Sequence, residues 1–138
     1  LNSELFNKTT EIYRDTKIIE QVGHGLVQLI ESGNIDSLEM TKLLQEYLKP
    51  MIEANIDYLV LGCSHYPYLI PQLKKILPPN IQIIDSGEAV ARQTQNVLKE
   101  KVGLSGLKNG EPLFYTNSDP KVLSEILGYK YKVIEKDF

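Results

Sequence analysis

Apolar residues recur along this chain with helical spacing in some segments and as short unbroken runs in others. Leu5, Phe6, Thr9, Ile12 and Tyr13 share one helical face behind Ser3, a suitable N-cap, and Asp15 and Thr16 end that element. Lys17–Val22 predicts a short strand. His24–Ser32 predicts a short helix with Leu26, Leu29 and Ile30 inward, stopped by Gly33 and Asn34. The longest stripe is Met40, Leu43, Leu44, Tyr47, Leu48, Met51 and Ile52. It predicts an amphipathic helix, capped by Asp36 or Ser37 and running to about Ala54, with a kink or break at Pro50.

Tyr58–Leu61 is apolar without alternation, as expected of a parallel strand buried on both faces. Gly62 ends it, and a helix is predicted from near Pro67, with Leu69, Ile70, Leu73, Ile76 and Leu77 inward and Pro78 and Pro79 as its stop. Then come a strand at Ile81–Ile84, a helix from Glu88 to about Lys101, and a loop over 103–112 with three glycines. A strand at Leu113–Tyr115, a helix at Pro120–Leu127 and a strand at Tyr131–Ile134 complete the chain. Alternating strands and helices predict an α/β fold with a mostly parallel sheet and flanking helices. Right-handed crossovers would set the loops after the strands along one edge, where such folds bind ligands.

Composition narrows the function classes. With 138 residues the chain is long enough to bury a core, and 42% hydrophobic and 24% charged residues argue against disorder. A net charge of −3 gives no global attraction for nucleic acid or an anionic membrane. The longest apolar runs, about five residues, are too short to span a bilayer. The N-terminus is polar after Leu1 and has no signal-peptide pattern. A start at Leu rather than Met reads as a start inside a longer protein. The single cysteine forms no internal disulfide, which fits a reducing cytoplasm.

Cys63 is the first chemical candidate. It follows a predicted buried strand and precedes a predicted helix, whose N-terminus would favour thiolate. Position alone leaves two readings open, a reactive thiol or a buried core cysteine. His65, two residues on, suits a general acid or base or a partner that tunes the thiol; the alternative is a solvated imidazole. Ser64 offers a hydroxyl and a backbone N–H to a carboxylate, or simply caps a helix. Glu31 alone reads as a surface charge, Asp85 as an N-cap or a ligand-edge acid, and His24 as structural. A phosphatase-like loop is disfavoured, because Leu69 stands six residues past Cys63 and no arginine lies between Arg14 and Arg92. Two histidines and one cysteine fall short of a structural zinc site. A Cys–His protease fits the inventory but has no second motif.

The segment DYLVLGCSHYPYL, residues 57–69, closely resembles the second catalytic-cysteine segment of glutamate racemases. IIDSGEAVA (83–91), LFYTNSDP (113–120) and LIESG (29–33) resemble further blocks of that family in the same order. The Gly-Cys-Ser-His-Tyr-Pro core is the specific part. The chain departs from the family pattern at Ser64, usually threonine, at Asn117 and Ser118, usually Thr-Gly, and at residues 22–31, which lack the usual Cys-Pro.

The resemblance implies interconversion of L- and D-glutamate for peptidoglycan by two cysteines, with no cofactor and no metal. One cysteine takes the α-proton and the other, as a thiol, returns one to the opposite face. It implies Cys63 as the L-face cysteine, Ser64 as a holder of the α-carboxylate, His65 as support for the thiol, and Glu31 as the family's glutamate. It implies two similar α/β domains. Residues 1–86 would be most of the second, and 87–138 the return to the first. The missing N-terminal half would carry the other cysteine, and this chain alone would be inactive. Glutamate is the expected partner, a homodimer the expected assembly, and no nucleic acid or membrane is expected. A neighbouring aspartate racemase, or a non-catalytic binding fragment with exposed apolar surface, are the alternatives.

Overall fold

The computed structural model describes residues 15–103 and 110–138, with Lys8, Glu11 and Ile12 before them. Most of the expected first helix therefore lies outside the described residues, as does the middle of the glycine-rich loop. Helix α1 (Leu26–Glu31) buries Leu26 and Ile30 and half-buries Leu29, as its spacing predicts. It starts from Gly25, whose φ of +81° falls in the left-handed region that disfavours a side chain.

Helix α2 (Leu38–Glu53) is capped by Ser37, whose Oγ accepts the Met40 N–H at 3.0 Å. Such a cap contributes about 1 kcal/mol. Met40, Leu44, Leu48 and Met51 line its buried face. The helix does not break at Pro50. The proline stands in the last turn, and its carbonyl still accepts the Ala54 N–H at 3.1 Å, so the missing donor costs a single rung.

Strands β1 (Tyr58–Val60) and β2 (Gln82–Ile84) pair in parallel, Leu59 opposite Ile83. Their C-terminal ends share one edge, extended by the Leu61 N–H on the Ile84 carbonyl at 2.8 Å. Leu59 faces the core, but Tyr58 is 55% and Val60 66% exposed. The expectation of burial on both faces is corrected: core residues of α1, of α2 and of the helix that follows β1 pack on the Leu59 side, and Tyr58 and Val60 stay exposed on the other. Lys17–Val22 is also not a strand, because no ladder of backbone hydrogen bonds joins it to a neighbour among the described residues. An apolar run becomes a strand only where a partner pairs with it.

After β1 the chain makes a 3₁₀ turn (Tyr66–Leu69) before α3 (Ile70–Ile76). Pro71 has no N–H to give the Pro67 carbonyl, which accepts from Ile70 instead, at 3₁₀ spacing. Leu69, Leu73 and Leu77 are buried against α2 and β1, and Ile30, Met40 and Leu69 form the centre of the core. Leu77 turns extended before Pro78, as a residue preceding proline does.

Helix α4 (Gly87–Lys101) follows β2 and buries none of its residues. Strands β3 (Leu113–Thr116) and β4 (Lys132–Glu135) form a second parallel pair around α5 (Pro120–Ile126), which Asp119 caps through the Lys121 N–H at 2.8 Å. Ile126 of α5 packs against the main core. The alternating α/β order with parallel strands stands as the sequence predicts. Among the described residues, no helix is long and apolar enough to cross a membrane.

Candidate active site

Cys63 opens the loop that leaves the C-terminal edge of β1, and it is half-buried. The Tyr66 N–H donates to the Cys63 carbonyl at 3.2 Å, which folds residues 63–66 into a tight turn. That turn brings the His65 ring back over its neighbours. Nδ1 of His65 lies 3.8 Å from the Cys63 Sγ and 3.5 Å from the Ser64 Oγ. On the far side of the ring, Nε2 lies 3.1 Å from Oε1 of Glu31, 34 residues away at the end of α1. The four residues singled out in the sequence thus come together, with His65 in the middle.

The order of contacts fixes the imidazole's hydrogens. A carboxylate only accepts, so Nε2 carries the hydrogen that Glu31 receives. Nδ1 is then an acceptor for the thiol or, once protonated, a cationic donor facing the thiolate. Either state gives Cys63 a proton exchange partner. Glu31 is 63% and His65 34% exposed on the side chain, so this contact is solvent-screened and orients more than it stabilises.

The expected placement of Cys63 at a helix N-terminus is corrected. The 3₁₀ turn intervenes, so the thiol stands well ahead of the first α-helical residue, Ile70. A dipole effect fades beyond the first turn, and His65 becomes the principal neighbour of the thiol. Ser64 is not an N-cap either. His65 occupies that position of the 3₁₀ turn, which leaves the Ser64 hydroxyl exposed beside the ring. Asp85 is not the N-cap of α4, a position Ser86 takes; its Oδ1 accepts the Gly87 N–H at 2.7 Å just ahead of the helix. His24 is exposed, and its carbonyl accepts from the Tyr47 hydroxyl at 2.9 Å.

One residue with a part in the site was passed over in the sequence. The Tyr66 hydroxyl donates to the Gly23 carbonyl at 3.4 Å. Burial, and next the charge of a Cys63 thiolate, hold this phenol above its ordinary 10.0. Its signal in the sequence is the tyrosine inside the Gly-Cys-Ser-His-Tyr-Pro core. Behind the loop lies an apolar cavity of about 80 Å³, lined by Leu26, Tyr47, Leu61, Tyr66 and Leu69 among others. Cys63, His65 and Glu31 do not line it.

Among known proteins, the chain is 43% identical over 113 residues to the glutamate racemase of Pseudomonas putida. It is 42% identical over the same length to that of Pseudomonas entomophila. Each alignment takes in 82% of this chain.

The chain belongs to the glutamate racemase family.

It spans less than half the length of these relatives, 43% in both cases. A glutamate racemase isoform of Bacillus anthracis superposes with a TM-score of 0.73 and 27% identity, over 97% of this chain and 52% of its own. The glutamate racemase of Francisella tularensis, solved with D-glutamate, gives a TM-score of 0.75 over 96% of this chain and 51% of its own; at 23% identity it speaks for the fold alone. No family model matches the chain.

Proposed function

We propose that this chain is the half of a glutamate racemase that handles the L-face proton, with Cys63 as its acid and base. The observation that carries the reading is the position of His65, between the Cys63 thiol at 3.8 Å and the Glu31 carboxylate at 3.1 Å. As thiolate, Cys63 takes the α-proton of L-glutamate. As thiol, it returns a proton when D-glutamate reacts in the opposite direction. His65 supplies or removes the proton that Cys63 exchanges between turnovers, and Glu31 holds the ring. Ser64, exposed beside the ring, holds the α-carboxylate.

The relatives at 42–43% identity, both glutamate racemases, support glutamate as the substrate. An amino-acid Cα–H is far less acidic than a thiol, so the site must stabilise carbanionic character by excluding water and presenting fixed dipoles. Two cysteines supply base and acid, and the reading needs no cofactor. The second cysteine belongs to the part of the family that this chain does not span. We assign residues 1–86 to the Cys63 domain and 87–138 to a segment returning to the other domain. D-Glutamate for peptidoglycan, a cytoplasmic setting and a homodimer complete the reading.

The test is Cys63→Ser in a protein that carries both halves. A serine hydroxyl is a far weaker acid than a thiol, so racemisation should fall by about a thousandfold or more. Retention of most activity would remove Cys63 from the reaction.

A further inference from the structure

The neighbours His65 and Tyr66 grip opposite ends of one helix. His65 meets Glu31, the last residue of α1. Tyr66 meets the carbonyl of Gly23, just ahead of its start. Between those points α1 rises about 9 Å. We propose that Tyr66 is a positioning residue for Cys63: its hydroxyl, seated on the Gly23 carbonyl, sets the reactive loop against α1 so that His65 reaches both the thiol and Glu31. The inference rests on the reading of Cys63 as the reacting thiol.

Three observations carry it. First, the seat is built for the phenol. A Cβ at Gly23 would stand 2.6 Å from the Tyr66 Oη and 2.6 Å from Leu26 Cδ1, closer than atoms pack, so a side chain there would press the hydroxyl and the leucine methyl aside. Second, the seat is itself held. The Gly23 carbonyl also accepts the Leu26 N–H at 3.3 Å, using its second lone pair, and the next carbonyl, that of His24, accepts from Tyr47 at 2.9 Å. Third, the contact joins residues 43 apart in sequence and lies within the turn that carries Cys63, so its loss acts on the thiol's surroundings directly.

Alkylation by iodoacetamide tests the proposal on the 138-residue chain, whose single cysteine makes the rate that of Cys63 alone. Tyr66→Phe deletes the hydroxyl and keeps the ring, while Gly23→Ala evicts the hydroxyl and keeps it on the tyrosine. Each should slow alkylation at neutral pH by about three- to tenfold, the worth of one hydrogen bond. Each should also change how the rate depends on pH. The double variant should be no slower than the slower single one, since both act on the same contact. In a His65→Asn background, Tyr66→Phe should add nothing. Circular dichroism reports folding of each variant, and if Gly23→Ala does not fold, the Tyr66 and His65 pair decides alone. An unchanged rate and pH profile in Tyr66→Phe overturns the proposal, as do additive effects with His65→Asn. The reading of Cys63 is judged separately, from the unsubstituted chain: reaction no faster than free cysteine counts against it, whatever the variants do.

Discussion

Nε2 of His65 lies 3.1 Å from Oε1 of Glu31, 34 positions away along the chain. The contact ties the loop after β1 to the end of α1 and leaves the opposite ring nitrogen to the thiol. Most of what the site can be tested for follows from this geometry.

In a protein carrying both halves, His65→Asn should lower kcat by about a hundredfold, in the range of a lost acid–base group. The loss should be larger when L-glutamate is the substrate. Glu31→Gln should cost less, about three- to tenfold, because an exposed carboxylate orients the ring without a large charge effect. The equilibrium constant between enantiomers is unity, so kcat/KM falls equally in both directions and only the separate kcat values discriminate. Initial rates from each enantiomer, followed by circular dichroism, supply them. Unchanged kcat values in His65→Asn would reject its part in proton exchange.

Ser64→Ala should act mainly on KM. A hydroxyl hydrogen-bonded to a charged carboxylate is worth enough to raise KM about tenfold or more when deleted. A fall in kcat at constant KM would instead place Ser64 in the chemical step.

The 138-residue chain alone should not racemise glutamate. Inversion needs an acid and a base on opposite faces of one carbon, each within hydrogen-bond reach. Cys63 and His65 lie in one turn, on one side. Half of the substrate's clamp would be absent as well, and with it the advantage of fixed orientation. Incubation with L-glutamate in D₂O separates the outcomes. Inversion that disappears in Cys63→Ala would sink the claim, whereas Cα exchange without inversion would identify Cys63 as a competent base on one face.

Stability should carry the mark of Tyr66 at alkaline pH. The folded phenol titrates above its ordinary 10.0, chiefly through burial, so the folded state holds this proton more tightly than the unfolded one. Its contribution is complete below about pH 10 and is lost as pH rises through the folded value. The urea midpoint should therefore fall less steeply above pH 10 in Tyr66→Phe than in the unsubstituted chain. Parallel slopes would mean that the phenol is not held in this way.

Local patterns foretold much of this architecture. The stripe from Met40 to Ile52 and the Ser37 cap state α2 outright, because helical burial repeats within a few residues. The Cys63 loop was legible from its motif, and Glu31 from a weaker one. The exposure of Tyr58 and Val60 was not legible, since an unbroken apolar run says nothing of how many layers cover it. Lys17–Val22 failed as a strand for a related reason: pairing depends on a neighbour far along the chain. The 3₁₀ turn was within reach, because Pro67 and Pro71 stand one α-helical hydrogen bond apart and the second has no donor to close it. The meeting of Tyr66 with Gly23 was not, because no periodicity links positions 43 residues apart.

Among the described residues each sheet has two strands, so every described strand is an edge strand. One long side of each carries backbone donors and acceptors with no sheet neighbour, a template on which another chain can dock by hydrogen bonding alone. Short length is the main guard here, three or four residues per strand, with Lys132 and Glu135 at the two ends of β4 adding charge. The handling of this chain at high concentration is then a question of backbone addition as much as of greasy surface. Salt, which screens the flanking charges, should promote it, and a lysine placed mid-strand should suppress it.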